Sequence, residues 1–216
     1  MMGQPAAQRI SVEEYLVAEE VSEVRHEFFD GQVFAMAGAS ADHNLLVAEI
    51  LRLLNNRFAD SGSGYDAIAS DMQVRTPDGL YTYPDVVVAC EDREFVDERE
   101  RLLLNPRVVF EILSPSTQAY DLTTKCRKYQ AIPSLTDYIA VWQDTIQARH
   151  HRRLAQPLRE GGPDWIAEDY DGEDAVLQFD SLGLSLRLGD LYRRLTLPEP
   201  SPLRPPVDDG PDPLRF

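Results

Sequence analysis

The sequence predicts a mixed α/β domain, and three observations carry that expectation. Two apolar runs, Val86–Ala89 and Val108–Leu113, are near-continuous, as in strands buried on both faces. Residues 42–58 place Leu46, Ile50 and Leu53 on one helical stripe, widened by Val47, Leu51, Leu54 and Phe58. Ser114-Pro115-Ser116-Thr117 breaks the second run, and a helix follows to about Ala131.

The remaining elements follow in chain order. Ser11-Val12-Glu13-Glu14 is a capping box that opens a short helix to about Glu20. Asp30-Gly31, set between apolar-rich runs from His26 to Met36, signals a hairpin. Residues 65–75 and 80–90 are read as two strands turned by Pro77-Asp78-Gly79. The charged stretch 91–105 is expected to be irregular or partly helical. Extra C-terminal strands are expected near 137–142 and 146–153, with a further hairpin, Trp165–Tyr170 and Ala175–Phe179, around Asp171-Gly172. A short helix near 188–194 closes the ordered part. Residues 1–9 are expected to be flexible and 196–216, where 7 of the 15 prolines fall from Leu197 onward, to be disordered.

Composition sets limits on function. At 43 % hydrophobic and 27 % charged, the chain has the composition of a soluble globular protein. No apolar run is longer than five residues, the length of Val86–Cys90 and Tyr138–Trp142, far too few for a membrane-spanning helix. The start, Met1-Met2-Gly3-Gln4-Pro5, lacks the basic and apolar regions of a signal peptide. Cys90 and Cys126 alone make neither a disulfide scaffold nor a zinc ribbon. A reducing cytoplasm is therefore the expected location. The net charge of −16 argues against nucleic-acid binding by the whole surface. One basic segment, 123–159, nevertheless carries a net +5 between flanks of −13 and −8. It is either a solvated face or a partner surface.

Candidate chemistry sits in the apolar runs. Asp85 follows Pro84 at the start of the first, and Glu111 interrupts the second. A charge in such a strand needs compensation. Two carboxylates on neighbouring strands find it by sharing a divalent metal, and oxygen-only ligation suits magnesium or manganese. The alternative places each acid at a strand end, wet or bonded to local backbone amides. Of 21 basic residues only Lys125 and Lys128 are lysine, the basic side chain that can give up its proton when its pKa is depressed. Asp121, Lys125 and Tyr129 recur at i, i+4 and i+8 on one face of the helix after Glu111. That face is read either as a surface ion pair over a packed tyrosine, or as a lysine beside a metal site that steadies charge at phosphorus or orients water. Lys128 is the reserve. Glu27, amid Phe28 and Phe29, is a third candidate acid. His43, in line with Leu46, Val47 and Ile50, fits a partly buried structural histidine, with a ligand role as the alternative. His150 and His151 point to opposite faces of a strand and form no ligand pair. The sequence contains no phosphate-binding glycine loop, nucleophile elbow or HExxH zinc motif.

The runs Glu27–Gly38, Tyr83–Val88, Glu111–Thr117, Asp121-x3-Lys125-x3-Tyr129 and Ile132-Pro133-Ser134-Leu135-x2-Tyr138 resemble the Uma-type restriction-endonuclease family of prokaryotes, within the PD-(D/E)XK nuclease superfamily. The resemblance covers residues 10–195. It implies a restriction-endonuclease-like core, a central mixed β-sheet flanked by helices, and a metal-dependent phosphodiesterase site. Asp85 and Glu111 map onto the metal-holding acids, and Glu27 onto an N-terminal acid that often joins them. The superfamily's usual lysine position, two residues after the second acid, is Leu113 here, with the lysine moved to the next helix as Lys125. The resemblance implies an endonuclease acting on DNA with Mg2+ (Mn2+ as substitute), with Asp85, Glu111, Lys125 and Glu27 as its catalytic set. His43, Lys128, Asp121 and Tyr129 are secondary candidates. A homodimer and no membrane partner are expected. The competing expectations are a non-catalytic binding module on the same fold and, more remotely, a hydrolase of small phosphorylated substrates.

Overall fold

The structure, a computed structural model, describes residues 9–36, 38–96, 98–156 and 164–197. The N-terminal octapeptide, Arg159 of the basic segment and the proline-rich residues beyond Leu197 lie outside the described residues.

The chain begins with α1 (Val12–Val21), whose capping box forms as its sequence predicts. Strands β1 (His26–Phe29) and β2 (Gln32–Ala35) make the expected hairpin. Its turn residues Asp30 and Gly31 both take positive φ, 47° and 79°, the conformation that matches a two-residue turn to the twist of the strands. The long helix α2 (Ala41–Ser61) starts at the Ser40 cap and stops at Gly62, which is left-handed with φ 62°. Its buried face carries Leu46, Ile50, Leu54 and Phe58. Each such side chain contributes about 1.5–3 kcal/mol on burial.

The two long strands expected at 65–75 and 80–90 are in fact four short ones. They are β3 (Asp66–Ala69), β4 (Gln73–Arg75), β5 (Tyr81–Thr82) and β6 (Val86–Ala89). β4 and β5 join β1 and β2 in a first sheet, ordered β2-β1-β5-β4-β7, where β7 is Leu102–Leu103. β3 and β6 enter the second sheet. Pro84 lies at the crossing from β5 to β6, where its missing N–H leaves no ladder bond unmade. Among the described residues of 91–105 there is no helix.

The second sheet is ordered β11-β10-β9-β8-β6-β3, with β8 (Val108–Leu113), β9 (Asp137–Trp142), β10 (Gln147–Arg153) and β11 (Trp165–Asp171). It is mixed: β8 and β9 run parallel and every other pair is antiparallel. The parallel pair needs a crossover. The chain supplies it as α3 (Gln118–Tyr120), a π-helical turn (Asp121–Lys125) and α4 (Cys126–Gln130), in place of the single regular helix expected there. Strand alternation sorts the core onto two faces. Val86, Val88, Val108, Phe110 and Ile112 pack under α2. Val87, Ala89, Val109, Leu113 and Tyr138 pack under the crossover through Leu122, Cys126 and Tyr129.

The hairpin expected around Asp171-Gly172 does not form. β11 pairs with β10, while β12 (Val176–Phe179) pairs with β13 (Leu184–Arg187). The ion pairs Arg149–Asp169 and Arg152–Glu168 bridge β10 and β11 and favour that choice of partner. The closing helix is shorter than expected, α5 (Leu188–Leu191). No described helix is long and apolar enough to cross a membrane.

Candidate active site

Glu111 is at an odd position of β8, so it faces the crossover rather than α2. The β6–β8 register pairs Val86 with Phe110 and Val87 with Val109. One further step places Asp85 opposite Glu111 on that same face, where Cβ atoms of opposed residues lie about 4.5–5.5 Å apart. The backbone N–H of Ile112 donates to Asp85 Oδ2 at 2.7 Å and pins the loop to the strand.

The π turn carries the cation. Lys125 Nζ lies 2.9 Å from Glu111 Oε1, 2.9 Å from Glu27 Oε1 and 3.8 Å from Asp121 Oδ1. Glu27 comes from the first sheet. The β1–β5 pairing of Phe28 with Tyr81 sets Glu27 against Thr82, whose hydroxyl donates to Glu27 Oε1. Three residues later the chain is at Asp85 on the second sheet. The crossing at Pro84 therefore brings the acids of both sheets to one lysine. Tyr129, one turn beyond Lys125, donates from its hydroxyl to Glu111 Oε1 at 3.1 Å. All these side chains are buried, Glu111 to 4 % exposure and Lys125 to 5 %.

Burial sets the electrostatics. Desolvation pushes the Glu111 carboxyl well above the usual range. Lys125 pulls it back in part, while Asp85 and Asp121 push it further up. Burial alone would lower Lys125, but Glu111 and Glu27 beside it outweigh that and hold it well above the ordinary lysine range. Desolvation raises Asp121 to about 6, against the opposing pull of Lys125.

Three carboxylates, those of Glu27, Glu111 and Asp121, thus surround one ammonium group, and Asp85 lies opposite Glu111 just before the neighbouring strand. Every hydrogen bond to Glu111 from the described residues falls on Oε1. Asp85 accepts one on each oxygen, from His43 and from Ile112. Among the described residues no three His, Cys, Asp or Glu side chains converge as a metal cage. The donors that do oppose one another are a pair of carboxylates carrying surplus negative charge. That fits a hard cation such as Mg2+, which keeps much of its water and takes one or two protein carboxylates.

A family model described as "Putative restriction endonuclease", Uma2, matches residues 12–189. The chain belongs to the Uma2 family. Two relatives from the cyanobacterium Synechocystis cover most of its length. The uncharacterized protein slr1290 is 34 % identical over 188 residues, spanning 87 % of this chain and 93 % of the relative. The uncharacterized protein sll1609 is 32 % identical over 171 residues, spanning 79 % and 92 %. The fold is also that of a solved structure from Anabaena variabilis, titled a putative nuclease of DUF820. The TM-score is 0.66 at 19 % identity, over 85 % of this chain and 98 % of that one. Uma2 membership makes this chain a member of a restriction-endonuclease-like nuclease family.

Within this Uma2 chain, the sequence-selected residues Glu27, Asp85, Glu111, Asp121, Lys125 and Tyr129 meet at one place. Lys128 does not join them. Its ammonium sits 2.7 Å from Asp78 Oδ2 and 3.4 Å from the centre of the Phe29 ring. His43 reaches Asp85 from α2. Thr82 and the Ile112 amide are parts of the site that the sequence reading missed. Thr82 gives no signal of its own, because only the pairing of β1 with β5 sets it against Glu27. The basic segment is largely neutralised by acids. Besides the β10–β11 pairs above, Arg153 meets Asp164 at 3.2 Å.

Proposed function

We propose that the chain is a metal-dependent endonuclease that hydrolyses DNA phosphodiester bonds, with Mg2+ as the working ion and Mn2+ as a substitute. The observation that carries this reading is the cluster itself: acids from two sheets drawn around one buried lysine, with negative charge in excess. Asp85 and Glu111 would hold the ion, with Glu27 beside them as the third acid. When bound, the ion polarises a phosphoryl oxygen and makes water a better nucleophile at neutral pH.

The chain's own residues do the rest. Lys125 is held by Glu27 and Glu111, and its ammonium offsets the negative charge that grows on the phosphoryl oxygens during in-line attack. Tyr129 keeps the Glu111 carboxylate in one orientation. Asp121 adds negative charge behind Lys125 and favours its protonated form. Water adds to phosphorus and gives a proton to a neighbouring carboxylate, the bond to the leaving oxygen breaks, and that oxygen takes up a proton from solvent, leaving a phosphate monoester and a hydroxyl end. A duplex has two antiparallel strands and one site cuts one of them. A two-fold homodimer is therefore the assembly that fits cleavage of both.

A second reading is a non-catalytic module on the same fold. The specific observation in its favour is that Lys125 is bonded directly to two of the candidate metal-site acids. The deciding experiment is cleavage of supercoiled and linear DNA at low salt, with Mg2+ or Mn2+ titrated against EDTA. Glu111→Ala and Lys125→Ala are run beside the parent. Metal-dependent nicking lost in both variants is the expected result. No cleavage by the parent, or cleavage unchanged in Glu111→Ala, would favour the binding module.

A further inference from the structure

Asp85 is gripped from two directions. Its Oδ2 accepts from the Ile112 backbone, and its Oδ1 lies 2.9 Å from His43 Nε2. His43 comes from the opposite side of the sheet, on the first turn of α2. Both side chains are largely buried, 15 % exposed for His43 and 12 % for Asp85. The backbone that carries the ring is itself held. The Ser40 side chain accepts from the His43 backbone N–H at 3.1 Å, and the Ser40 hydroxyl donates to Gln143 Oε1 at 3.2 Å, just past the end of β9. The first turn of α2 is thus tied to the strand beside Glu111.

A carboxylate held at one oxygen swings about its χ2 torsion. Held at both, it keeps one plane. A metal-holding Asp85 carboxylate can only accept, so in that reading Nε2 donates this bond. We infer that His43 is a positioning residue for the metal site: it orients Asp85 without itself being a ligand. This rests on the reading of Asp85 as a metal-holding acid, and it gives His43 a role that neither helix periodicity nor packing explains. Outer partners of ligating groups typically contribute 10–100-fold to metal affinity or activity.

The test is Mn2+ binding to the full chain without DNA, by calorimetry, paired with cleavage measured across a Mn2+ titration. His43→Leu is expected to weaken Mn2+ binding about 10–100-fold, and His43→Gln, whose amide nitrogen can replace Nε2 as donor, to stay within about threefold of the parent. In the cleavage assay, His43→Leu should need more Mn2+ for half-maximal rate, while kcat at saturating Mn2+ recovers towards the parent. Thermal melts accompany each variant. His43→Phe, which keeps a ring without the donor, takes the place of the Leu variant if that one does not fold. Asp85→Asn is the reference arm. If it abolishes Mn2+ binding while His43→Leu binds like the parent, the role of His43 is overturned and the metal reading stands. If His43→Gln is as weak as His43→Leu, the ring serves packing and the inference falls. If Asp85→Asn binds Mn2+ unchanged, the metal reading of Asp85 falls and the inference with it.

Discussion

Lys125 shows how the site holds buried charge. A buried ammonium survives only with acids at hydrogen-bonding distance, and two lie at 2.9 Å. Replacing it with Met should leave the secondary structure in place and reduce kcat by about 10²–10³, the usual cost of losing one transition-state stabiliser. A circular-dichroism spectrum beside single-turnover cleavage checks this, and a Met variant with parental kcat would refute the role. Asp121 makes a separate prediction about pH. An acid whose folded pKa lies above its unfolded value binds protons on folding between the two, so stability falls as pH rises through that window. For Asp121 the window runs from the ordinary 3.8 to about 6. Asp121→Asn should therefore be more stable than the parent at pH 8, by up to about 3 kcal/mol, with the gain shrinking towards pH 4. Denaturant melts at the two pH values measure it. A variant less stable at pH 8 would mean that attraction from Lys125 outweighs the desolvation of Asp121.

The crossover between β8 and β9 carries the site's lysine on a π turn, a form that often marks functional positions. Thr123 donates from its hydroxyl to the Ala119 carbonyl at 2.6 Å, a side-chain bond that competes with the regular ladder. Deleting Thr124 should restore an α-helical register and rotate Lys125 by about 100° relative to the turn before it. The expected outcome is a folded protein without metal-dependent cleavage. Retained cleavage would show that the π turn is incidental to the chemistry. The neighbouring sheet explains which acids the crossover meets. Asp85 and Glu111 face it because they share parity with Val87 and Val109, whereas a shift of one residue would bury them under α2.

Across the whole molecule, negative charge opposes binding to a polyanion, and the arginines of β10 are already engaged by acids of β11 and its neighbourhood. If binding uses few phosphate contacts, the logarithm of DNA affinity should fall only gently with the logarithm of salt, with a slope no steeper than about −3. Fluorescence anisotropy with a short duplex between low and moderate salt measures that slope. A slope near −8 would require that the β10 arginines leave their acids for phosphates. Light scattering on the same preparation tests the homodimer, and a monomer at assay concentration would remove the two-strand argument for it.

Much of the architecture is legible in the residues alone. Burial on both faces is written in the Val86–Ala89 and Val108–Leu113 runs, the hairpin in Asp30-Gly31, the first helix start in Ser11-Val12-Glu13-Glu14. The candidate acids are conspicuous because Asp85 and Glu111 stand in runs that otherwise exclude charge. These signals are short-range: they report burial, periodicity and turn geometry within a few residues. What only the tertiary structure decided is partnership. Nothing local states that residues 65–75 and 80–90 divide between two sheets at Pro84, or that β11 chooses β10 over β12. The meeting of Glu27 with Lys125, and of His43 with Asp85, likewise depends on strand register and on helices placed by contacts far along the chain. Periodicity tells which side of an element is buried, but it carries no record of what that side is buried against.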